Sequence, residues 1–315
     1  MRLIFRADAT LDIGTGHVTR SLAIAEEAIS RGIQCVFVGN TREFAWIENR
    51  IIDTGFYKIF QESKDFNSNK DSDILVIDSY EIDPKHDFLH KDKWLKIVSI
   101  FDQLTPEYLC HLRIHPGIRE YGLKLNNTLT FGGANYIPLR KSIHKVNKLN
   151  ESTPLKILVV GGGVDKTNFV LSISEVLALI DKEFHAQLLT NRQKPESLDA
   201  RFSAMPIGSG LDLIANDADL IFSTASTTSL EFLARGFAVA IGSAVDNQKQ
   251  YYSDLASRRV VQPIGEFTDK WMFEIKSIFE IVESENLRHN LREQTFNLID
   301  LLGSRRIINL IIDLI

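Results

Sequence analysis

A chain of 315 residues, 44% hydrophobic and 24% charged, carries enough apolar material for one large or two medium cores. A formal net charge of -5 and the lack of any Lys/Arg run exclude a nucleic-acid-binding face. Two cysteines, Cys35 and Cys110, are too few for a disulfide framework and are not spaced as metal ligands, so Cys35 in QCVFVGN reads as a small core hydrophobe.

Short β-rich runs alternate with longer helical patterns. The strands expected in the first half are LIFRA, CVFVG, ILVID and IVSIF; in the second half they are KILVVG, AQLLT, LIFST and AVAIGS. Helical patterns such as VTRSLAIAEEAISR and LSISEVLALIDK lie between them. This alternation predicts α/β architecture with parallel sheets covered by helices on both faces.

The first strand is expected from Leu3 to Arg6 and the first helix from Val18 to Ser30. Gly14, Gly16 and His17 then fall in the turn between them, where open α/β folds bind anions or do chemistry. A histidine at a helix start is often only structural, but a neutral imidazole at this edge can also take a proton from water or a hydroxyl. Arg20, on the next position of the same helical face, either holds an anionic group or is solvated. TREFAWIENR, with Phe44, Trp46 and Ile47 beside Arg42 and Arg50, reads as ordinary half-buried packing or as a docking face. The polar run from Gln61 to Ser72 is expected to be a mobile surface loop.

LRKSIHKVNKLNESTPLK, between Pro138 and Lys156, is polar and mixed in charge, and a fresh strand follows it. It is the expected linker. The expected organisation is an N-terminal domain over residues 1–140, a linker over 141–154 and a second domain over 155–290. Helices over 291–315 would pack back on the body. Two such domains facing a central cleft would leave ligand room at the C-terminal ends of both sheets.

The second domain opens with GGGVDKTN, Gly161 to Asn168, after a strand. Its glycines let a ligand approach the backbone, but Asp165 stands where a P-loop needs glycine, and a plain strand-to-helix turn explains the stretch equally well. In FSTASTTSLEFLARGFAVAIGSAVDNQ, Ser226, Thr227 and Thr228 sit where a strand ends and a helix begins, suited either to phosphate or to capping. Glu231 lies one turn later and could accept bonds from ribose hydroxyls; Asp246, Asn247 and Gln248 follow the next strand.

Taken together, GTGHVTRSLAIA, VIDSY, FGGANYIPLR, GGGVDKTN, SLEFLARG and DNQ resemble, in order, the UDP-sugar hydrolase family of pseudaminic acid biosynthesis. That family is related in fold to the GT-B glycosyltransferases. The resemblance implies two Rossmann-like domains, with the nucleotide held mainly by the second. It also implies a metal-independent reaction without a cofactor, in which water displaces UDP with inversion. His17 matches the histidine that activates or orients the water, and Asp78 and Tyr80 form the Asp-x-Tyr element expected to act with it. Gly14 and Gly16 match the turn that makes room for sugar and diphosphate, with Arg20 beside them. Gly162 and Asp165 match the phosphate-side loop, Ser226, Thr227 and Glu231 the nucleotide contacts, and Asn247 and Gln248 the polar pair near the sugar. Arg20 or Lys166 would complement the diphosphate charge.

Departures fall mainly on the sugar-facing side. Ser79 replaces the family's histidine, its paired aspartates read Asp102-Gln103, and its asparagine-rich loop reads RIHPGI; Val164 differs in the glycine loop. The expected activity is hydrolysis of a UDP-linked amino-deoxy sugar for nonulosonic-acid or surface-glycan synthesis. The alternative is a GT-B glycosyltransferase moving the sugar to a glycan, lipid or protein. A non-catalytic nucleotide-sugar binder would not need His17. The expected partner is a nucleotide sugar, with no nucleic acid and at most a weak membrane contact. Arg2, Arg6 and Asp8 break up the first apolar residues, and IINLIIDLI is too short to span a bilayer, so a cytoplasmic protein is expected.

Overall fold

The computed structural model describes every residue except 126, 127, 147–149 and 209. The chain divides into two compact units, Met1–Ile143 with Asp300–Ile315, and His144–Ile299.

In the first unit the strands are β1 (Arg2–Ala7), β2 (Gln34–Val38), β3 (Lys58–Phe60), β4 (Asp73–Asp78), β5 (Lys96–Ile100), β6 (Leu112–Ile114), β7 (Tyr121–Leu125) and β8 (Thr128–Gly132). They form one sheet in the order β3-β2-β1-β4-β5-β6-β8-β7, parallel except for the β7–β8 hairpin. Leu3 pairs with Cys35 on one side and Ile74 on the other, and Leu3, Ile4 and Phe5 are wholly buried. Continuous apolar strands of this kind are what a sheet covered on both faces requires. The order reverses between β1 and β4, so the loops after these two strands diverge and open a crevice at the carboxyl edge.

Helix α1 (Gly16–Ser30) follows β1 and buries Val18, Leu22, Ala25 and Ala28. Burial of a leucine or valine of this kind contributes about 1.5–3 kcal/mol. The helix starts two residues before the expected Val18: Gly14 takes φ +78, Thr15 is the N-cap, and His17 lies inside the first turn. Helix α2 (Ala45–Thr54) buries Ile47 and Ile51, and Phe44 at its N-cap is also buried, as ordinary packing requires.

The stretch from Gln61 to Ser72 is a surface loop, as expected, with one buried residue. It carries a single 3-10 turn (Ser63–Asp65), and Phe66 is buried, with its ring stacked on Trp94 at 6.1 Å and 5°. One aromatic residue among polar neighbours is enough to anchor the segment to the core.

The second unit contains β9 (Leu155–Val160), β10 (Phe184–Leu189), β11 (Phe202–Met205), β12 (Leu220–Thr224), β13 (Ala238–Ser243), β14 (Gln262–Phe267) and β15 (Trp271–Phe273). Their order is β11-β10-β9-β12-β13-β14-β15, parallel except for β14–β15, and it reverses between β9 and β12. Helices α3 (Phe169–Ala178), α4 (Leu211–Asp217), α5 (Thr227–Arg235), α6 (Asp246–Ser257), α7 (Ile275–Glu283) and α8 (Glu285–Phe296) accompany it. Phe169, Ile173, Phe184, Phe222 and Ile278 are among its core residues.

Of the expected linker, residues 147–149 lie outside those described. Its described remainder is tied down: Val146 N–H donates to Arg235 O at 2.8 Å, and Glu151 accepts from Arg288 Nε at 2.8 Å and from Arg292 Nη2 at 2.6 Å. Helix α8 stays with the second unit. The segment from Asp300 onward belongs to the first, where α9 (Gly303–Ile312) buries Ile307, Ile308 and Ile311. Ser304 Oγ donates to Leu139 O at 3.1 Å, fixing the start of that helix. Among the described residues no helix is long and apolar enough to cross a membrane.

Candidate active site

At the switch point of the first sheet, the turn after β1 brings His17 against the end of β4. His17 Nδ1 lies 2.5 Å from Asp78 Oδ1, and both side chains are buried. A carboxylate only accepts, so the proton on Nδ1 belongs to the imidazole, which leaves Nε2 as its acceptor nitrogen. Arg20 is one turn further along α1. Its Nε and Nη2 donate to the two oxygens of Asp78 at 2.5 and 2.6 Å. Burial pushes the Asp78 carboxyl up, but Arg20 and then His17 outweigh burial and hold it below the usual range.

Tyr80, two residues beyond β4, packs edge-on against His17, with centroids 4.3 Å apart and planes at 87°. Its hydroxyl donates to Asp102 Oδ2, just after β5. Burial, with Asp102 and Asp78 nearby, pushes the Tyr80 phenol far up, so it remains a donor despite Arg20. Asp102 is itself held by Leu104 N–H at 3.0 Å and lies 4.0 Å from Arg20 Nη2.

The structure therefore gathers His17, Asp78 and Tyr80 into one cluster and corrects the expectation for Arg20. The residue is 5% exposed and its guanidinium forks onto Asp78, so it is not solvated. Asp102 is the member of the cluster that sequence reasoning left out of the site. Its position after the strand next to β4 is the signal that points to it. Gly14 shows open space where a side chain would stand.

In the second unit, Gly161 and Gly162 leave β9 and Thr224 ends β12, on the two sides of that sheet's switch point. Gly162 has φ +90, and a Cβ there would stand 3.7 Å from Thr224 Oγ1 and 3.9 Å from Ser226 Oγ. Thr224, missed in the sequence, also receives Gln248 Nε2 at 3.5 Å, while Gln248 Oε1 accepts the Ala244 N–H at 2.9 Å. Gln248 thus bridges two strand ends, and Asn247 precedes it in the first turn of α6. Ser226 is the N-cap of α5, with its N–H donated to Ser229 Oγ at 3.1 Å; Thr227 and Thr228 follow, and Glu231 is buried one turn on.

Asp165 lies on the loop after β9. Its Oδ1 accepts Phe169 N–H at 2.7 Å and its Oδ2 accepts Val170 N–H at 3.0 Å, so its side chain satisfies the first amides of α3. Burial pushes its carboxyl up, against the pull of those amides and of Arg192. Lys166 is exposed on the same loop. Among the described residues no group of three or more His, Cys, Asp or Glu side chains is arranged to hold a metal ion.

Two parallel-dominated sheets with helices match the GT-B class of fold. Solved structures agree over almost the whole length. The chain is similar to Acinetobacter baumannii MurG (TM-score 0.63, 14% identity, 99% of this chain and 100% of that one). It is also similar to the glycotransferase of kitacinnamycin (TM-score 0.69, 11% identity, 99% of both chains). The calicheamicin glycosyltransferase CalG4 matches at TM-score 0.65 and 13% identity, over 100% of this chain and 98% of that one.

In sequence, the chain is 25% identical over 332 residues to an uncharacterized protein of Methanocaldococcus jannaschii, covering 93% of this chain and 68% of that protein. It is 25% identical over 189 residues to the UDP-2,4-diacetamido-2,4,6-trideoxy-beta-L-altropyranose hydrolase of Campylobacter jejuni, covering 56% of this chain and 66% of that protein. No protein-family model matches.

Proposed function

We propose that the protein is an enzyme that cleaves the anomeric C–O bond of a UDP-linked amino-deoxy sugar, with His17 as the base. The observation that carries this reading is the buried His17–Asp78 pair, 2.5 Å apart at the switch point of the first sheet. Asp78 fixes the ring and its tautomer, and Nε2 takes a proton from the attacking hydroxyl. The attacking oxygen bonds to the anomeric carbon from the face opposite UDP, and the bond to the β-phosphate oxygen breaks with its electron pair leaving on UDP. The nucleotide is assigned to the carboxyl edge of the second sheet, where Gly162, Thr224, Ser226 and the start of α5 offer small side chains and hydroxyls. Thr227, Glu231, Asn247 and Gln248 belong to the same assignment.

Water is the proposed acceptor, in keeping with the sequence likeness to the Campylobacter jejuni hydrolase. Transfer to a glycan, lipid or protein hydroxyl is the second reading, and it is supported by the likeness to MurG and to CalG4 over nearly the entire chain. The chemistry at His17 is the same in both. Incubation with UDP-linked 2,4-diacetamido-trideoxy sugars in the absence of any acceptor separates the two. Rapid UDP release supports hydrolysis, whereas donor binding with only trace release overturns it in favour of transfer.

A further inference from the structure

We propose that Arg20 is a positioning residue that keeps the His17–Asp78 pair one proton short, so that Nε2 of His17 is free to accept a proton at neutral pH. The proposal rests on the reading of His17 as the base.

Asp78 is wholly buried, and a carboxylate there needs a cation. Without Arg20, compensation of that charge would fall on His17 alone, and the form of the pair with an extra proton would be favoured relative to the native cluster. Arg20 removes that demand. Its Nε and Nη2 take both carboxylate oxygens at 2.5 and 2.6 Å, and Nη2 stands 3.2 Å from His17 Nδ1, where it disfavours a second positive charge. The fork also fixes the carboxylate plane, and so the direction in which Oδ1 meets Nδ1.

Further charged and phenolic groups lie around the pair, the Arg6–Asp8 ion pair at 2.6 Å and the phenols of Tyr80 and Tyr108 among them. Tyr80 lies edge-on to His17 and donates to Asp102, whose Oδ2 is 4.0 Å from Arg20. Tyr108 donates to Ser79 O at 3.1 Å, and burial pushes its phenol up against the pull of Arg6, with Asp78 and Asp8 adding to the rise. Arg20 thus sets the resting state of the pair.

The sign of the test follows. Removing Arg20 favours every protonated form of the pair, so the rising limb of the pH–rate profile moves to higher pH. For Arg20→Gln, UDP release at pH 7 is expected to fall by about tenfold or more, to recover substantially near pH 9, and to leave KM for the donor little changed. Arg20→Lys keeps the charge but not the fork, and gives a smaller displacement in the same direction. It carries the test if Arg20→Gln does not fold. A uniform loss at all pH values, or a raised KM with an unmoved limb, overturns the proposal. NMR of protein labelled with ¹⁵N-histidine gives a reading without turnover. The His17 ring, assigned by its absence in His17→Ala, is expected in the Nδ1–H form at pH 7 in the unaltered protein, with imidazolium gained in Arg20→Gln; identical ring signals in both contradict the proposal. Failure of the base reading is distinct: His17→Ala would then release UDP at the unaltered rate.

Discussion

Arg20 and His17 stand on one turn of one helix, and both reach Asp78 Oδ1, a residue that lies 58 and 61 positions away in the chain. They meet it because β1 and β4 are neighbours in the sheet and Ala7 pairs with Asp78 in register. The turn after β1 therefore starts level with the carboxylate that ends β4. A carboxylate, an imidazole and a guanidinium are thereby fixed on regular elements, which hold geometry better than loops do.

Asp78→Asn is isosteric but offers an amide where the carboxylate stood. The Nδ1–H preference is lost and Arg20 is left without its partner. UDP release is expected to fall by on the order of a hundredfold or more, with donor KM changing far less. Initial rates over a donor series check this.

Tyr80→Phe retains the ring against His17 and removes only the bond to Asp102. It is expected to cost about 1–2 kcal/mol of stability, because Asp102 loses a buried donor. Tyr80→Ala, which also removes the packing on His17, is expected to lower the rate much further. A denaturation cycle with Asp102→Asn should show that the two residues couple.

Asp165→Ala removes the acceptor for the Phe169 and Val170 amides. The expected result is a loss of about 0.5–2 kcal/mol in stability, measured by urea unfolding. If Asp165 instead bound the nucleotide, donor affinity would fall and stability would not.

Acid stability is expected to depend on Glu151. Burial pushes its carboxyl up, but Arg288 and Arg292 outweigh burial and hold it below its ordinary value in the folded chain. Its contribution is thus complete above the ordinary glutamate range and is lost as pH falls through the lower folded value. Glu151→Gln is expected to lower Tm at pH 7 and to narrow the difference from the unaltered protein below about pH 4.

Gly303 begins α9, and a Cβ there would stand 2.0 Å from the Ile137 carbonyl oxygen. Because that contact is with backbone, Gly303→Ala must displace the helix start. A loss of about 1–3 kcal/mol is expected, readable as a shift in the urea midpoint.

Local signals in the sequence located most of the strands and the turn that holds His17. LIFRA and ILVID are apolar apart from Arg6 and Asp78 because both faces of their sheet are covered, and β1 and β4 extend only a residue or so beyond them. What the sequence concealed was long-range. Arg20 looks solvated when only α1 is considered, since its partner lies on β4. Asp165 reads only as part of a phosphate-side loop until its oxygens are seen on the α3 amides. Phe66 sits in a polar run, and only the fold brings Trp94 to it. Thr224 and Asp102 matter because of which strands are adjacent, an order that local periodicity does not encode.

The base assignment is tested most directly by measuring UDP release from a UDP-linked 2,4-diacetamido-trideoxy sugar by the unaltered protein and by His17→Ala at equal folded concentration. The account predicts release by the unaltered protein and its near-complete loss in the variant, with donor binding retained. Undiminished release by His17→Ala would contradict it.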